Sequence, residues 1–164
     1  MEIWRNVEGF EDYVVNPDGE VYSESKKELK NLRINNQGDV MVDLYRDRKQ
    51  NTRKVSLLVA QAYLGEPPEF FNSVIHLNGD RSDCRAINLA WRPRWFVVEY
   101  NRMFLEEPLM YSVRVIQTGE EFGTLRDFCT KYGVIEQRAF ICALNGYRPF
   151  PTNYLLELHS TRIK

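Results

Sequence analysis

The chain has 164 residues, 43% hydrophobic and 13% aromatic, which suffices to bury a core and excludes wholesale disorder. A formal net charge of −1 gives no global attraction to nucleic acid, and no apolar run reaches the roughly 18–20 residues that span a bilayer. The three cysteines (Cys84, Cys129, Cys142) are scattered without a CxxC pair, so neither a structural zinc site nor a disulfide framework is expected.

The N-terminus, MEIWRNVEGF, is acidic and aromatic, unlike a signal peptide, and a soluble protein of a reducing compartment is expected. The first third reads as β-structure. DYVVNPDGEVYS sets an apolar run, a Pro-Asp-Gly turn and a second run in order, a hairpin signal. LKNLRINNQGDVMVDLYRDRKQNTRKVSLL continues in short alternating strands, with turns expected at Asn-Asn-Gln-Gly and Lys-Gln-Asn-Thr. VSLLVAQAYLG has apolar residues at helical spacing and predicts a short helix stopped by Gly65 and the Pro67-Pro68 pair. Residues 72–91 predict strand, loop, strand. RWFVVEYNRMFL after Pro93 predicts a helix. Residues 105–110 are the candidate linker. Beyond it, YSVRVIQTGEEFGT predicts a hairpin turning at Thr118-Gly119, then two short helices closed by Gly133 and by Asn145-Gly146, and a last strand in YLLELH. Two such helices fit a helix-turn-helix and equally an ordinary αα-hairpin packed on a small sheet.

Charge is unevenly spread. Residues 1–24 hold seven acids against Arg5. Residues 26–54 hold nine bases, among them Arg46, Arg48, Lys49, Arg53 and Lys54, against four acids. Residues 81–102 add Arg81, Arg85, Arg92, Arg94 and Arg102 against Asp83 and Glu99. Such stretches are either local phosphate-binding surfaces or solvated faces.

The motif with chemical content is VIHLNGDRSDCRAINLAW, residues 74–91. It resembles the core of the HNH (ββα-metal) homing endonucleases of phage and intron type, through His76, Asn78, Gly79, Asp80, Asn88, Leu89 and Trp91. VSLLVAQAYLG resembles the helix before that core. EIWRNVEGFEDYVVNPDGEVYS resembles the NUMOD4-like module that often opens these proteins, with Trp4, Gly9, Tyr13, Asn16, Gly19 and Val21 matching. VIQTGEEFGTLRDFCTKYGVIEQRAFICALNG is similar to their C-terminal helix-turn-helix DNA-binding module.

The resemblance implies an elongated, modular α+β protein, with an N-terminal β-rich module at 1–56, an HNH core at 57–105 and a helix-turn-helix module at 110–164. It implies a nickase of double-stranded DNA, with His76 as general base, Asn88 as its orienter, and one Mg²⁺ or Mn²⁺ held at Asn101. Val97 is the alternative position for that last ligand. The basic residues named above would contact DNA, together with Gln137 and Arg138 on the second helix of the C-terminal pair. A monomer in a bacterial host's cytoplasm, with DNA as partner and a host or phage protein as an open second one, is the accompanying expectation. One departure stands out: the residue before the histidine, usually Asp or Asn in the family, is Ile75, which offers no oxygen. A catalytically degenerate, DNA-binding or regulatory protein is therefore the competing expectation, and binding of RNA by the same basic surfaces a third.

Overall fold

The computed structural model describes residues 3–160. Among them lie twelve strands and four α-helices, an α/β mixture that falls into two compact units. One unit holds the chain as far as His76 together with Asp80–Arg94; the other holds Leu77–Gly79 and the chain from Trp95 onward.

In the first unit, β1 (Arg5–Val7), β2 (Phe10–Val15), β3 (Val21–Ser23) and β4 (Glu28–Leu29) form an antiparallel sheet in sequence order. The hairpin of β2 and β3 turns where the Pro-Asp-Gly signal predicts. Asn16, fully buried, closes the turn by accepting from the N–H groups of Asp18 (3.1 Å) and Glu20 (2.9 Å). A second sheet orders β5 (Arg33–Ile34), β6 (Val40–Arg46) and β7 (Lys49–Lys54). In β6 the period of two places Val42 and Leu44 at zero exposure on one face, and Met41, Asp43 and Tyr45 on the other.

The turn expected at Lys-Gln-Asn-Thr is instead strand. Arg46 pairs with Lys49, so the turn is the two residues Asp47 and Arg48, at φ of +52° and +62°. Two successive positive φ values suit the twist of a tight hairpin, and aspartate tolerates them. None of the residues of β7 is buried, which explains why no apolar alternation marked it.

Helix α1 (Val55–Tyr63) follows and buries Val55, Leu58 and Val59 in a core shared with Val7, Phe10, Tyr13, Val15, Val21, Val42, Leu44 and Leu89. Two tyrosines lock the layers: Tyr13 Oη accepts from the Tyr45 N–H (2.9 Å), and Tyr63 Oη donates to the Val15 carbonyl (2.7 Å). A ribbon of β8 (Ser73–His76) and β9 (Leu89–Arg92) completes the unit.

The second unit centres on β10 (Tyr111–Val115), flanked antiparallel by β11 (Glu121–Phe122) and β12 (Leu156–Ser160). Helix α2 (Arg94–Met103) buries Phe96, Tyr100 and Met103, one stripe at spacings of four and three. Helix α3 (Leu125–Tyr132) is capped by Thr124, whose side chain accepts from the Asp127 N–H (3.1 Å). Gly133, at φ +68°, ends it in the left-handed conformation, and α4 (Glu136–Asn145) begins after Val134 and Ile135. Arg126 of α3 meets the buried Glu136 of α4 at 3.1 Å and fixes the pair. No helix among the described residues is long and apolar enough to cross a membrane.

Candidate active site and basic surfaces

The ribbon positions the candidate base and its expected orienter. His76 ends β8 and pairs in register with Leu89, so Asn88, last residue of the single 3₁₀ turn Ala86–Asn88, lies at the same end of the ribbon. Both are enclosed, at 5% and 6% exposure. Asn88 donates its amide to the Asp83 carbonyl (2.9 Å), which braces the connecting loop. The loop is held from outside too: the Ala86 N–H donates to the Pro17 carbonyl (2.8 Å) in the first hairpin turn. A side chain on Gly19 would come within 3.3 Å of the Cys84 Cβ, so the hairpin rests directly on the loop. Burial pushes the Cys84 thiol up to about 11, which makes it a packing group and not a nucleophile.

His76 Nε2 is buried and has no hydrogen-bond partner, so the Asn88 amide does not hold that nitrogen. Burial lowers the imidazole below its ordinary pKa; the negative charges of Asp39, Asp83 and Asp80 oppose this and the Arg81 charge adds to it. The neutral ring, able to accept a proton, is thus the form present at pH 7.

Asp39 is the residue that sequence reasoning missed. It ends the 35–39 turn, where Asn35 Oδ1 accepts from the Asp39 N–H (2.9 Å), and is 5% exposed. Its Oδ1 takes two bonds from Arg81, from Nε (3.0 Å) and Nη2 (2.7 Å), and its Oδ2 lies 3.2 Å from Lys54 Nζ. Only the generic turn residues NNQGD announced it. Nothing local tells that an acid in the turn between β5 and β6 joins a loop some forty residues on.

Ile75 is fully buried, so it offers neither an oxygen nor a free position. Asn101 and Val97 are half-buried on α2. No group of three or more His, Cys, Asp or Glu able to hold a metal occurs among the described residues.

The basic residues sort by partner. Arg48 and Lys49 sit exposed at the β6–β7 turn. Arg46 donates to the Gly9 carbonyl (3.0 Å) and, like Arg53, lies over the Phe10 ring, at 5.1 and 5.4 Å. Lys54 and Arg81 share Asp39, and Arg85 pairs with Asp83 at 2.8 Å. Arg92 departs from the expected exposed surface: at 9% exposure it is enclosed, and it donates to the Trp91 carbonyl (2.6 Å). Arg94 and Arg102 are exposed on α2. On α4, Gln137 is exposed, whereas Arg138 grips Glu99 through Nε (2.8 Å) and Nη2 (3.0 Å) and lies 4.9 Å from the Trp95 ring centre.

No family model matches the chain. Over 91 residues, 56% of its length, it is 29% identical to an uncharacterized HNH endonuclease of Acanthamoeba polyphaga mimivirus. That stretch is 23% of the viral protein, so the chain spans about a quarter of the length of the curated relative it matches. Among solved structures, its fold is similar to that of the HNH homing endonuclease I-HmuI, from work on DNA binding and cleavage by that enzyme. The TM-score is 0.54 at 22% identity, over 96% of this chain and 98% of the other. Nearly the whole chain therefore follows the fold of an HNH homing endonuclease.

Proposed function

We propose that this chain is a metal-assisted DNA endonuclease of the HNH type that nicks one strand of a duplex with His76 as general base. The observation that carries the reading is the enclosed, neutral imidazole of His76 at the end of β8, with Asn88 beside it at the end of the ribbon. The imidazole takes a proton from water as the water oxygen attacks phosphorus and the bond to the leaving ester oxygen breaks. Asn88 acts through the loop, holding the Asp83 carbonyl and so the course of the chain that joins β8 to β9.

The donor set for a metal is thin: Ile75 has no oxygen, and Asn101 contributes one amide. Mg²⁺ tolerates few protein ligands, so Asn101 with water and phosphate oxygens is the assignment, and the ion would neutralise charge on the phosphate. Binding falls to the exposed bases of the β6–β7 hairpin for phosphates, and to α4 as the second helix of a helix-turn-helix. Within α4, Gln137 is the residue left to read a base edge, because Arg138 is already engaged by Glu99.

Plasmid nicking with Mg²⁺ or Mn²⁺, set beside a metal-free control, tests this. Nicking lost in His76→Ala and weak without metal is expected; nicking unchanged in His76→Ala ends the assignment. A second reading, a DNA-binding protein without cleavage, is favoured by the full burial of Ile75. Salt-sensitive DNA binding with no nicking in either metal would establish it.

A further inference from the structure

We propose that Asp39 is a positioning residue that holds Arg81 and Lys54 as a fixed cationic pair for a DNA phosphate at the His76 site, an inference that rests on the nuclease reading above. The side chain of Asp39 is 7% exposed, while those of Arg81 and Lys54 are 32% and 52% exposed. A buried acid is thus the anchor, and the two cations reach from it toward solvent. One cation would neutralise one carboxylate. Two leave a surplus of one positive charge at the open side, which matches the single negative charge of a phosphodiester.

The grip is also directional. Arg81 spends Nε and Nη2 on one carboxylate oxygen, which fixes the guanidinium plane and leaves the donors of Nη1 outside that clamp. Lys54 stands on the other oxygen, which is itself buried and accepts no hydrogen bond. Among the described residues, the buried side-chain atoms without a hydrogen-bond partner are this Oδ2 and His76 Nε2. Arg81 lies in the loop between β9 and β8, the strand that His76 ends, so the clamp on Asp39 ties acid and cations to the loop that follows the base, and the Asp39 charge acts on the imidazole. The chain that lacks a carboxylate at position 75 thereby gains fixed positive charge at its base, of the kind that takes up charge developing on a phosphate.

The test uses the full chain and a short DNA duplex, with affinity measured across a range of NaCl concentrations and melting followed by circular dichroism. Arg81→Gln and Lys54→Gln are each expected to lower the slope of log affinity against log salt by about one. Asp39→Asn, nearly isosteric, is expected to melt close to wild type and bind at least as tightly, yet to nick saturating DNA roughly 10–100-fold more slowly, with KM little changed. If Asp39→Asn melts early, Arg81→Lys takes its place, since it keeps the charge and loses the two-point grip: binding kept and kcat lowered is again expected.

Unchanged salt slopes in both cation variants, or wild-type nicking in Asp39→Asn, would overturn the proposal even with His76→Ala inactive. Nicking that survives His76→Ala overturns the nuclease reading instead, and absence of DNA binding overturns both.

Discussion

At the scale of single residues, the environment of His76 makes a pH prediction with a definite sign. The fold lowers its pKa from the 6.5 of a free imidazole. Above that pH the ring is neutral both folded and unfolded, and contributes no pH dependence. As pH falls below 6.5 the unfolded chain takes up a proton that the folded one resists, so stability declines until the lowered pKa is passed. Denaturant midpoints at pH 7.5 and 5.0 should show this loss, and His76→Gln should remove its share. Ile75 leads to a second expectation. An acid there sets a carboxylate in a fully buried position, so Ile75→Asp should cost roughly 3 kcal/mol or more of stability. A urea midpoint close to wild type would show that position 75 opens to solvent. That His76 and Asn88 lie at one end of a strand pair could be read because both fall within one short motif. Asp39 was not legible, because it sits in the turn before β6 and its partner Arg81 in the loop between β8 and β9, and no periodicity carries such pairing.

Among the elements, the join between α3 and α4 carries the sharpest sequence signal and the clearest energetics. Gly133 is buried at φ +68°, where an L-residue pays for its Cβ, so Gly133→Ala should destabilise by roughly 1–2 kcal/mol. Thr124→Ala should cost about 1 kcal/mol through the lost cap. Equilibrium urea unfolding would measure both, and a smaller loss at Gly133 would mean that the turn relaxes. On α4 itself, Arg138→Ala should weaken DNA binding alike on all sequences, while Gln137→Ala should change preference at one base position. Competition binding on a randomised duplex separates the two. The helices could be read because glycine stops and apolar stripes are local. The strand at 49–54 could not, because its residues are polar on both faces and only pairing with β6 makes it a strand.

At the scale of the molecule, the chain leaves the first unit after His76, returns at Asp80 and leaves again after Arg94. The short detour Leu77–Gly79 is held within the second unit. Tyr100 Oη donates to the Leu77 carbonyl (2.7 Å), and any Cβ on Gly79 would strike the Phe104 ring at 2.5 Å. Helix α2 is likewise built into that unit, with Phe96 beside Phe150 at 5.8 Å and the Tyr100 hydroxyl 3.4 Å from the Cys129 carbonyl. A fragment ending at residue 107 should therefore expose the apolar stripe of α2 and bind a hydrophobic dye that the intact chain does not. Dye binding equal in both would show that α2 needs no support from the residues beyond it.

The same detour bears on how such a chain tolerates being spliced. The segment 105–110 looks like a seam, yet an exchange of everything beyond it would bring a foreign sequence against a helix whose inward side chains were shaped by the old one. It would also strip the far support from Tyr100, and so from the three residues that directly follow the histidine. A swapped tail would have to bring its own answer to Phe96 and Tyr100. Substitutions on the exposed positions of α4 should therefore be tolerated more readily than wholesale replacement of the C-terminal block.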